Sequence, residues 1–256
     1  MQLIDTHCHL DFSVFDTNRE DILLRAKAVG VTNIVIPGVS SSGWDRLLEI
    51  TRASSCLHAA LGLHPCFMQH HKAEDLATLA SLVATERLCA IGEIGLDLFI
   101  PEADIKKQLA FLRPQLELAK QYELPVVLHV RKAHDQMLKQ LRQLKLLAGG
   151  VVHAFSGSEQ QAEQYIALGY KLGIGGTLTY ERAHKLHRIV RNNPLESFVL
   201  ETDAPDIPLS GHRGEVNVPE RIAEVAEVMA NLKQERLERV AFVTTQNARQ
   251  LFKMLD

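Results

Sequence analysis

The stretch that decides the fold is Leu3-Ile4-Asp5-Thr6-His7-Cys8-His9, in which a short aliphatic strand runs directly into polar residues. A doubly wound, dinucleotide-binding sheet would need a Gly-rich turn after its first strand, and that fingerprint is missing here. Polar residues at the carboxyl end of a strand are instead typical of the active-site face of a (β/α)8 barrel.

Short aliphatic segments alternate with amphipathic segments along the rest of the chain. The predicted strands cover residues 3–5, 33–37, 57–61, 88–92, 126–129, 150–153, 171–174 and 198–201. The predicted helices cover residues 19–29, 43–53, 75–85, 104–122, 134–147, 160–168, 182–191, 219–232 and 234–255. This alternation predicts a buried parallel sheet, and its length favours an amidohydrolase-like (β/α)8 TIM barrel over an open doubly wound sheet. No linker or repeat divides the chain, so residues 1–256 are predicted to form one domain.

The composition is that of an ordinary globular protein, with 46% hydrophobic and 23% charged residues, so it allows a substantial core. The net charge of −3 provides no overall field for a polyanion, so any contact with nucleic acid must depend on a local patch. The four cysteines form no CxxC pair and are expected to be free thiols. Because no leader or membrane-spanning apolar run is recognised, we expect a cytoplasmic protein, without an obligate protein partner.

Metal-ligand residue types recur at the carboxyl ends of the predicted strands. These residues are His7, His9, Glu93, His129, His153 and Asp203. In a barrel these strand ends converge on one face, so the six side chains would surround one site. Imidazole and carboxylate ligands suit zinc, manganese or iron. In a His-x-His segment both rings can face one ion, because alternate residues of an extended chain point the same way.

Each of these residues alone also has an ordinary structural explanation. A His-x-His segment can be a polar loop, a glutamate can cap a helix, and Asp203 can be the N-cap of a turn. The two histidines that end apolar runs can be hydrogen-bonded core residues. Six such coincidences on one barrel face are much less frequent than a functional site, so the pattern as a whole predicts one.

Four motifs, in order along the chain, resemble the signatures of the TatD family. They are Asp5-Thr6-His7-Cys8-His9-Leu10-Asp11, Gly62-Leu63-His64-Pro65, Ile91-Gly92-Glu93-Ile94-Gly95-Leu96-Asp97 and Leu200-Glu201-Thr202-Asp203-Ala204-Pro205. Residues 152–157 and 244–248 match as well, so the resemblance covers essentially the whole chain. Members of this family are metal-dependent hydrolases on an amidohydrolase-like barrel, and several of them act as deoxyribonucleases.

The resemblance implies two adjacent divalent metal ions. The family pattern assigns His7, His9 and Asp203 to one ion, His129 and His153 to the other, and Glu93 to both. We expect zinc in the isolated protein, with manganese or magnesium as alternatives. Asp203 is the expected catalytic residue, since it would take a proton from the water that becomes the attacking metal-bound hydroxide.

Further residues are candidates for contacts with the substrate or with the metal ligands. His64 would contact a substrate phosphate, unless it merely forms a structural His-Pro turn. Arg131 and Lys132 are candidate anion contacts, although exposed basic residues are usually only solvated. Asp97 and Glu201 would orient ligand histidines from behind.

The resemblance favours a phosphodiesterase, specifically a deoxyribonuclease that acts on accessible or single-stranded DNA ends. The alternatives are a hydrolase of small amides, lactones or phosphoesters and a non-catalytic metal-binding protein. Three loops, at residues 97–99, 129–133 and 211–219, depart from the usual family pattern near the expected substrate. The residues available for stacking on bases are Phe67, Phe99, Phe155 and Tyr180.

Overall fold

Eight parallel strands follow one another around a single sheet in chain order, each hydrogen-bonded to the next. The computed structural model describes residues 1–253. The strands are β1 (Leu3–Asp5), β2 (Val31–Pro37), β3 (Leu57–Leu61), β4 (Ala90–Asp97), β5 (Val126–Arg131), β6 (Gly150–Val152), β7 (Tyr170–Ile174) and β8 (Phe198–Leu200). The sheet closes where the Thr6 N–H donates to the Leu200 carbonyl at 3.0 Å. The predicted TIM barrel is therefore confirmed.

Helices connect successive strands and cover the outside of the barrel. They are α1 (Arg19–Ala28), α2 (Trp44–Arg52), α3 (Ala73–Thr85), α4 (Ile105–Gln121), α5 (His134–Leu144), α6 (Glu159–Ala167), α7 (His184–Asn192), α8 (Ile222–Lys233) and α9 (Leu237–Leu251). The predicted helix 234–255 ends beyond the described residues. No helix of residues 1–253 is long and apolar enough to cross a membrane.

The largest difference from the predicted strands is at β4, which was expected to end at Gly92 and instead continues to Asp97. It continues because its last residues, beyond a register shift, pair with the end of β5. Every residue of β4 is buried. Glu93 and Asp97 therefore lie within a buried strand rather than in the loop that follows it.

Two apolar clusters pack on opposite faces of the sheet. One contains alternate strand residues such as Val35, Val127 and Val199, together with Leu251 and Phe252 at the end of α9. The other cluster is larger and joins the remaining strand residues to the surrounding helices. Side chains of a strand alternate between faces. The first cluster therefore lies inside the barrel, and the second lies between the sheet and the surrounding helices.

Asn247 fastens α9 to the segment that begins β8. Its side-chain amide donates to the carbonyls of Leu195 at 2.8 Å and Phe198 at 2.7 Å. The residue is buried. Its amide satisfies the Phe198 carbonyl, while the Leu195 carbonyl also accepts the Phe198 N–H. The match of residues 244–248 to the family motif thus corresponds to a structural contact.

We expect Asn247→Ala to lower the free energy of unfolding by about 1–2 kcal/mol, because the Phe198 carbonyl loses its donor and the Leu195 carbonyl loses one of two donors. Urea denaturation measures the change. Asn231→Ala, at an exposed position of α8, is the matched control and should change stability by less than about 0.5 kcal/mol. Equal stabilities of the two variants would contradict the assigned role of Asn247.

Candidate metal centre

A buried aspartate, Asp5, joins the loops that follow β1 and β8. Its carboxylate accepts the backbone N–H groups of His7 at 3.2 Å and Thr202 at 3.0 Å, and the Thr202 hydroxyl at 2.5 Å. The Asp203 N–H in turn donates to the His7 carbonyl at 2.8 Å. Burial raises the pKa of Asp5 to about 7, against the effect of these hydrogen bonds. Residues from opposite ends of the chain are thereby held side by side.

Asp5 had no predicted role of its own. The available signal was an ionisable residue that ends an aliphatic strand, because such a group must find partners when it is buried.

Asp203 adopts a left-handed backbone conformation with φ of 62°, which aspartate tolerates better than most residues.

Four side chains converge where these two loops meet β4. The Nε2 atom of His7 lies 3.2 Å from His9 Nε2, 3.2 Å from Glu93 Oε2 and 3.5 Å from Asp203 Oδ1. His9 Nε2 lies 3.7 Å from the same two carboxylate oxygens. Ligand atoms bound at 2.0–2.2 Å from one ion stand about 2.8–3.6 Å apart in tetrahedral or octahedral geometry. The four atoms are close to that spacing, so this donor set fits a metal ion.

The second oxygen of Glu93 faces a different pair of imidazoles. Glu93 Oε1 lies 3.1 Å from His64 Nε2 and 3.1 Å from His129 Nδ1. Burial opposes ionisation of this carboxyl, but His64, His7 and His129 outweigh burial and hold the pKa of Glu93 well below its usual range. Glu93 is therefore an anion that presents one oxygen to each of two histidine pairs.

His129 is fixed from behind by Asp97. Its Nε2 atom lies 2.9 Å from Asp97 Oδ2, which leaves Nδ1 to face Glu93. Burial would raise the pKa of Asp97, but His129 and the N–H of Phe99 outweigh it and lower the pKa of Asp97 to about 2. A carboxylate in this position sets the orientation and tautomer of a ligand histidine. Asp97 thus contacts the histidine that it was predicted to orient.

His153 lies beside Glu201, with 3.1 Å between Nδ1 and Oε1. Its other nitrogen, Nε2, lies 3.5 Å from Asp203 Oδ1, and its ring stacks on His7 with 3.5 Å between centroids. Burial disfavours the imidazolium, but Glu201 and Asp203 outweigh burial and raise the pKa of His153 to about 10.

The side chains of the cluster fall into overlapping groups. Within residues 1–253, groups of ligand-type residues whose ligand atoms all lie within 4.8 Å of one another include His7 with His9 and Glu93, His7 with His153 and Asp203, and His64 with Cys66 and His129. The family resemblance had assigned His129 and His153 to one ion. In this structure Asp97 directs His129 towards Glu93, whereas Glu201 directs His153 towards Asp203.

The histidines differ in charge. Burial, with His153 nearby, lowers the pKa of His7 well below its usual value, and burial lowers the pKa of His9 to about 4. Both rings are therefore neutral at pH 7, which is the form that ligates metals. Burial raises the pKa of Asp203 to about 8; His153 opposes this rise, and Glu93 adds to it.

A cavity of about 540 Å³ opens onto this cluster. It is lined by His9, Phe12, Val39, His64, Cys66, Phe67, Glu93, His129, Val130, Arg131, His153, Ala154, Phe155, Ser156, Thr177, Asp203, Asp206 and Ile207. His64 and Arg131 thus reach the cavity, as expected of substrate contacts. Phe12, Cys66 and Asp206 were missed, because they lie in loops whose paths the strand–helix pattern does not predict.

The aromatic residues singled out by the sequence divide into two sets. Phe67 and Phe155 line the cavity. The Phe99 ring instead packs under the Arg131 guanidinium at 3.9 Å, and the Tyr180 hydroxyl donates to the Pro208 carbonyl at 2.9 Å.

Comparison with known proteins identifies this arrangement, since the family model described as TatD related DNase matches residues 4–253. The chain belongs to the TatD family. It is 43% identical over 253 residues to YjjV, an uncharacterised metal-dependent hydrolase of Escherichia coli, with 98% of each chain covered. A crystal structure of YjjV superposes with a TM-score of 0.95, again with 98% of both chains covered.

A relative with a more specific name is the 3'-5' ssDNA/RNA exonuclease TatD of Erwinia billingiae. The two sequences are 32% identical over 260 residues, which cover 98% of this chain and 99% of that protein. These matches confirm the family resemblance and the metal-dependent hydrolase that the motifs predicted.

Metal binding should release protons. At pH 7 the pKa values of His153, about 10, and of Asp203, about 8, leave both groups protonated in the metal-free protein. Cations displace those protons, so titration of chelator-treated protein with zinc or manganese should release about two protons per chain, read with a pH indicator.

The contribution of Asp203 has its own pH dependence. Because its pKa is raised, Asp203 keeps its proton below about pH 8, and its share of the release should disappear above about pH 9. Asp203→Asn should release about one proton fewer than the unmodified protein at pH 7. If metal binding at pH 7 neither released nor took up protons, these protonation states would be wrong.

Asp97→Asn should weaken metal binding by about 10- to 100-fold, because His129 loses the anion that fixes its orientation. Competition with a chelator of known affinity measures the loss. Asp21→Asn makes the same chemical change on the exposed surface of α1 and should leave the affinity unchanged. An unaltered affinity of the Asp97 variant would show that Asp97 does not support His129.

Proposed function

We propose that this TatD-family protein is a two-metal phosphodiesterase that cleaves single-stranded DNA at accessible ends. The observation that carries the proposal is Glu93, which has one oxygen beside His7 and His9 and the other beside His64 and His129. Two divalent cations on either side of such a carboxylate would activate water and polarise the scissile phosphoryl group. The imidazole and carboxylate donors favour zinc, with manganese or magnesium as alternatives.

The proposed ligand set follows from the donor atoms on each side of Glu93. His7, His9 and Asp203 would hold one ion with Oε2. His129 would hold the other with Oε1, and His153 is the further imidazole that the family pattern assigns to it. The neutral state of His7 and His9 supports this assignment, since their lone pairs are available at pH 7.

Asp203 is the proposed proton acceptor. Its side chain is 13% exposed and lines the cavity, whereas the Glu93 side chain is 3% exposed and has both oxygens engaged. Burial and the nearby Glu93 raise the pKa of Asp203 in the metal-free protein. Once a cation has displaced that proton, the carboxylate would be able to accept one from water and return it to the leaving group. The much lower pKa of Glu93 makes that group a poor acceptor.

His64 is suited to donate a hydrogen bond rather than to bind a metal. Its Nδ1 atom accepts the Cys66 N–H at 3.1 Å, and burial lowers its pKa, so the ring is neutral. A neutral imidazole with Nδ1 as acceptor carries its proton on Nε2. In this structure that proton faces Glu93 Oε1 at 3.1 Å. Once a metal ion occupies Oε1, the proton would be available to a substrate phosphate oxygen, the contact to which we assign His64, with Arg131 as a second contact at the cavity wall.

The shape and lining of the cavity support a single strand as substrate. Its volume of about 540 Å³ lies in the range of pockets that enclose one small molecule, so it suits a strand end rather than the side of a duplex. Phe12, Phe67 and Phe155 provide apolar walls against which a base can pack. The name of the Erwinia billingiae relative, an ssDNA/RNA exonuclease, points to the same substrate class.

The decisive experiment is a metal-reconstituted assay with end-labelled single- and double-stranded DNA, bis(p-nitrophenyl) phosphate, and panels of amides and lactones. We expect single-stranded DNA to be shortened from an end, faster than duplex DNA. Hydrolysis of the amides or lactones alone would replace the proposal with the small-molecule alternative. Metal binding without turnover of any of these compounds would favour a non-catalytic protein.

Asp203→Asn should lower kcat for single-stranded DNA by about 10²- to 10⁴-fold at saturating metal, since the proton acceptor is lost. Asp206→Asn, the same change three residues further along the cavity wall, should cost less than about tenfold. Circular dichroism checks that both variants fold. If Asp203→Asn kept full activity, another group would have to be the base.

A further inference from the structure

A second, smaller compartment lies beside the metal centre. It has a volume of about 210 Å³ and is formed by the β6–α6 loop and the beginning of α7. Its lining comprises Phe155, Ser156, Gly157, Thr177, Arg182, Ala183, Lys185, Leu186 and Ile189. Three of these residues, Phe155, Ser156 and Thr177, also line the larger cavity. A ligand that leaves the metal centre past Phe155 therefore enters the second compartment directly.

Basic side chains surround this compartment. Arg182 and Lys185 line it, Arg131 lines the adjoining part of the larger cavity, and Lys132 follows Arg131 in the loop between β5 and α5. Burial lowers the pKa of Lys185, and the charge of nearby Lys132 lowers it further. The compartment thus collects positive charge from two separate loops.

These cations lack acidic partners. In the described part of the chain, no ion pair involves Arg131, Lys132, Arg182 or Lys185. The Lys185 ammonium donates to the Ser156 carbonyl at 2.6 Å, which leaves two of its three N–H bonds for another acceptor. An anion in the compartment would relieve the repulsion between the lysines and complete their hydrogen bonds.

Acidic residues of the same elements are engaged elsewhere or offset only part of this charge. Glu159 pairs with Arg188 at 2.7 Å, and Asp135 accepts a hydrogen bond from the Gln161 side chain at 2.8 Å. The pKa of His134 is lowered to about 4, first by burial and then by Lys185, and Asp135 opposes the shift without cancelling it. Neither Glu159 nor Asp135 therefore forms an ion pair with the basic residues of the compartment.

We propose that this compartment is a phosphate subsite that binds the nucleotides next to the one being cleaved, with Lys132 and Lys185 as its main contacts. The inference rests on the proposed phosphodiesterase function and deepens it. The preferred substrate is then an oligonucleotide of several residues, because a small diester would fill only the metal-centre cavity. Phe155 lines both compartments, so a strand that occupies them together passes this residue.

The test compares two substrates of the metal-loaded enzyme, a short single-stranded oligonucleotide and bis(p-nitrophenyl) phosphate. The double variant Lys132→Met and Lys185→Met should raise KM for the oligonucleotide by roughly tenfold or more, since two phosphate contacts are lost. Its kinetics with bis(p-nitrophenyl) phosphate should stay within about twofold of the original, because that diester does not reach the compartment. Lys139→Met, an exposed lysine of α5, is the matched control and should change neither substrate's kinetics.

A binding measurement separates this inference from the proposed function. Fluorescence anisotropy of the labelled oligonucleotide, with the metal-loaded Asp203→Asn protein so that the strand stays intact, gives affinity as a function of salt. Adding the two lysine substitutions should make the decrease of log K with log salt less steep by about 1.4, which is about 0.7 for each lost contact with a single strand.

The outcomes are distinguishable. An unchanged KM and an unchanged salt slope in the lysine variant would overturn the subsite, while DNA hydrolysis by the unmodified enzyme would leave the proposed function standing. Oligonucleotide binding that depends on the two lysines, without hydrolysis by the unmodified enzyme, would support the subsite and overturn the phosphodiesterase. Hydrolysis of the small diester without measurable oligonucleotide binding would overturn the subsite and the DNA substrate together.

Discussion

The burial of one charged carboxylate, Glu93, is the constraint on which the rest of the site depends. An ionised group inside a protein costs several kcal/mol unless charges and hydrogen bonds compensate it. Here the compensation comes mainly from His64 and His129, whose ring nitrogens lie 3.1 Å from one oxygen, whereas His7 and His9 at the other oxygen are neutral. The same arrangement is suited to two cations, so the chemistry and the stability of the site have one origin.

A second layer of carboxylates gives the histidines their directions. Asp97 holds one nitrogen of His129 and Glu201 holds one nitrogen of His153, so that the free nitrogen of each ring points to a different acid. Asp5 acts further back, on the backbone of the loops that carry His7 and Asp203. The loops can therefore vary in sequence around a centre whose ligands are fixed from behind.

Much of this was predictable because the responsible signals are local. Strand–helix alternation predicted the barrel, since each βα unit follows from periodicity in a short segment, and the position of polar residues at strand ends predicted the six candidate ligands. The end of β4 was not predictable, because Leu96 and Asp97 belong to the strand only through their pairing with β5. The contacts of Asp5 and Cys66 were missed because they join separate segments: Asp5 accepts hydrogen bonds from Thr202 of the loop after β8, and the Cys66 thiol donates to the Asp97 carboxylate at 3.4 Å.

The sequence by itself determined the fold class, the family and the inventory of ligand-type residues, because these depend on residue types and their order. Only the tertiary structure decided which ligands face one another, that His153 lies with His7 and Asp203, and that Arg182 and Lys185 line a compartment beside the metal-centre cavity. Those features depend on distances between segments far apart in the chain. Such distances are set by how the loops pack at the end of the barrel, where no periodic pattern records their paths.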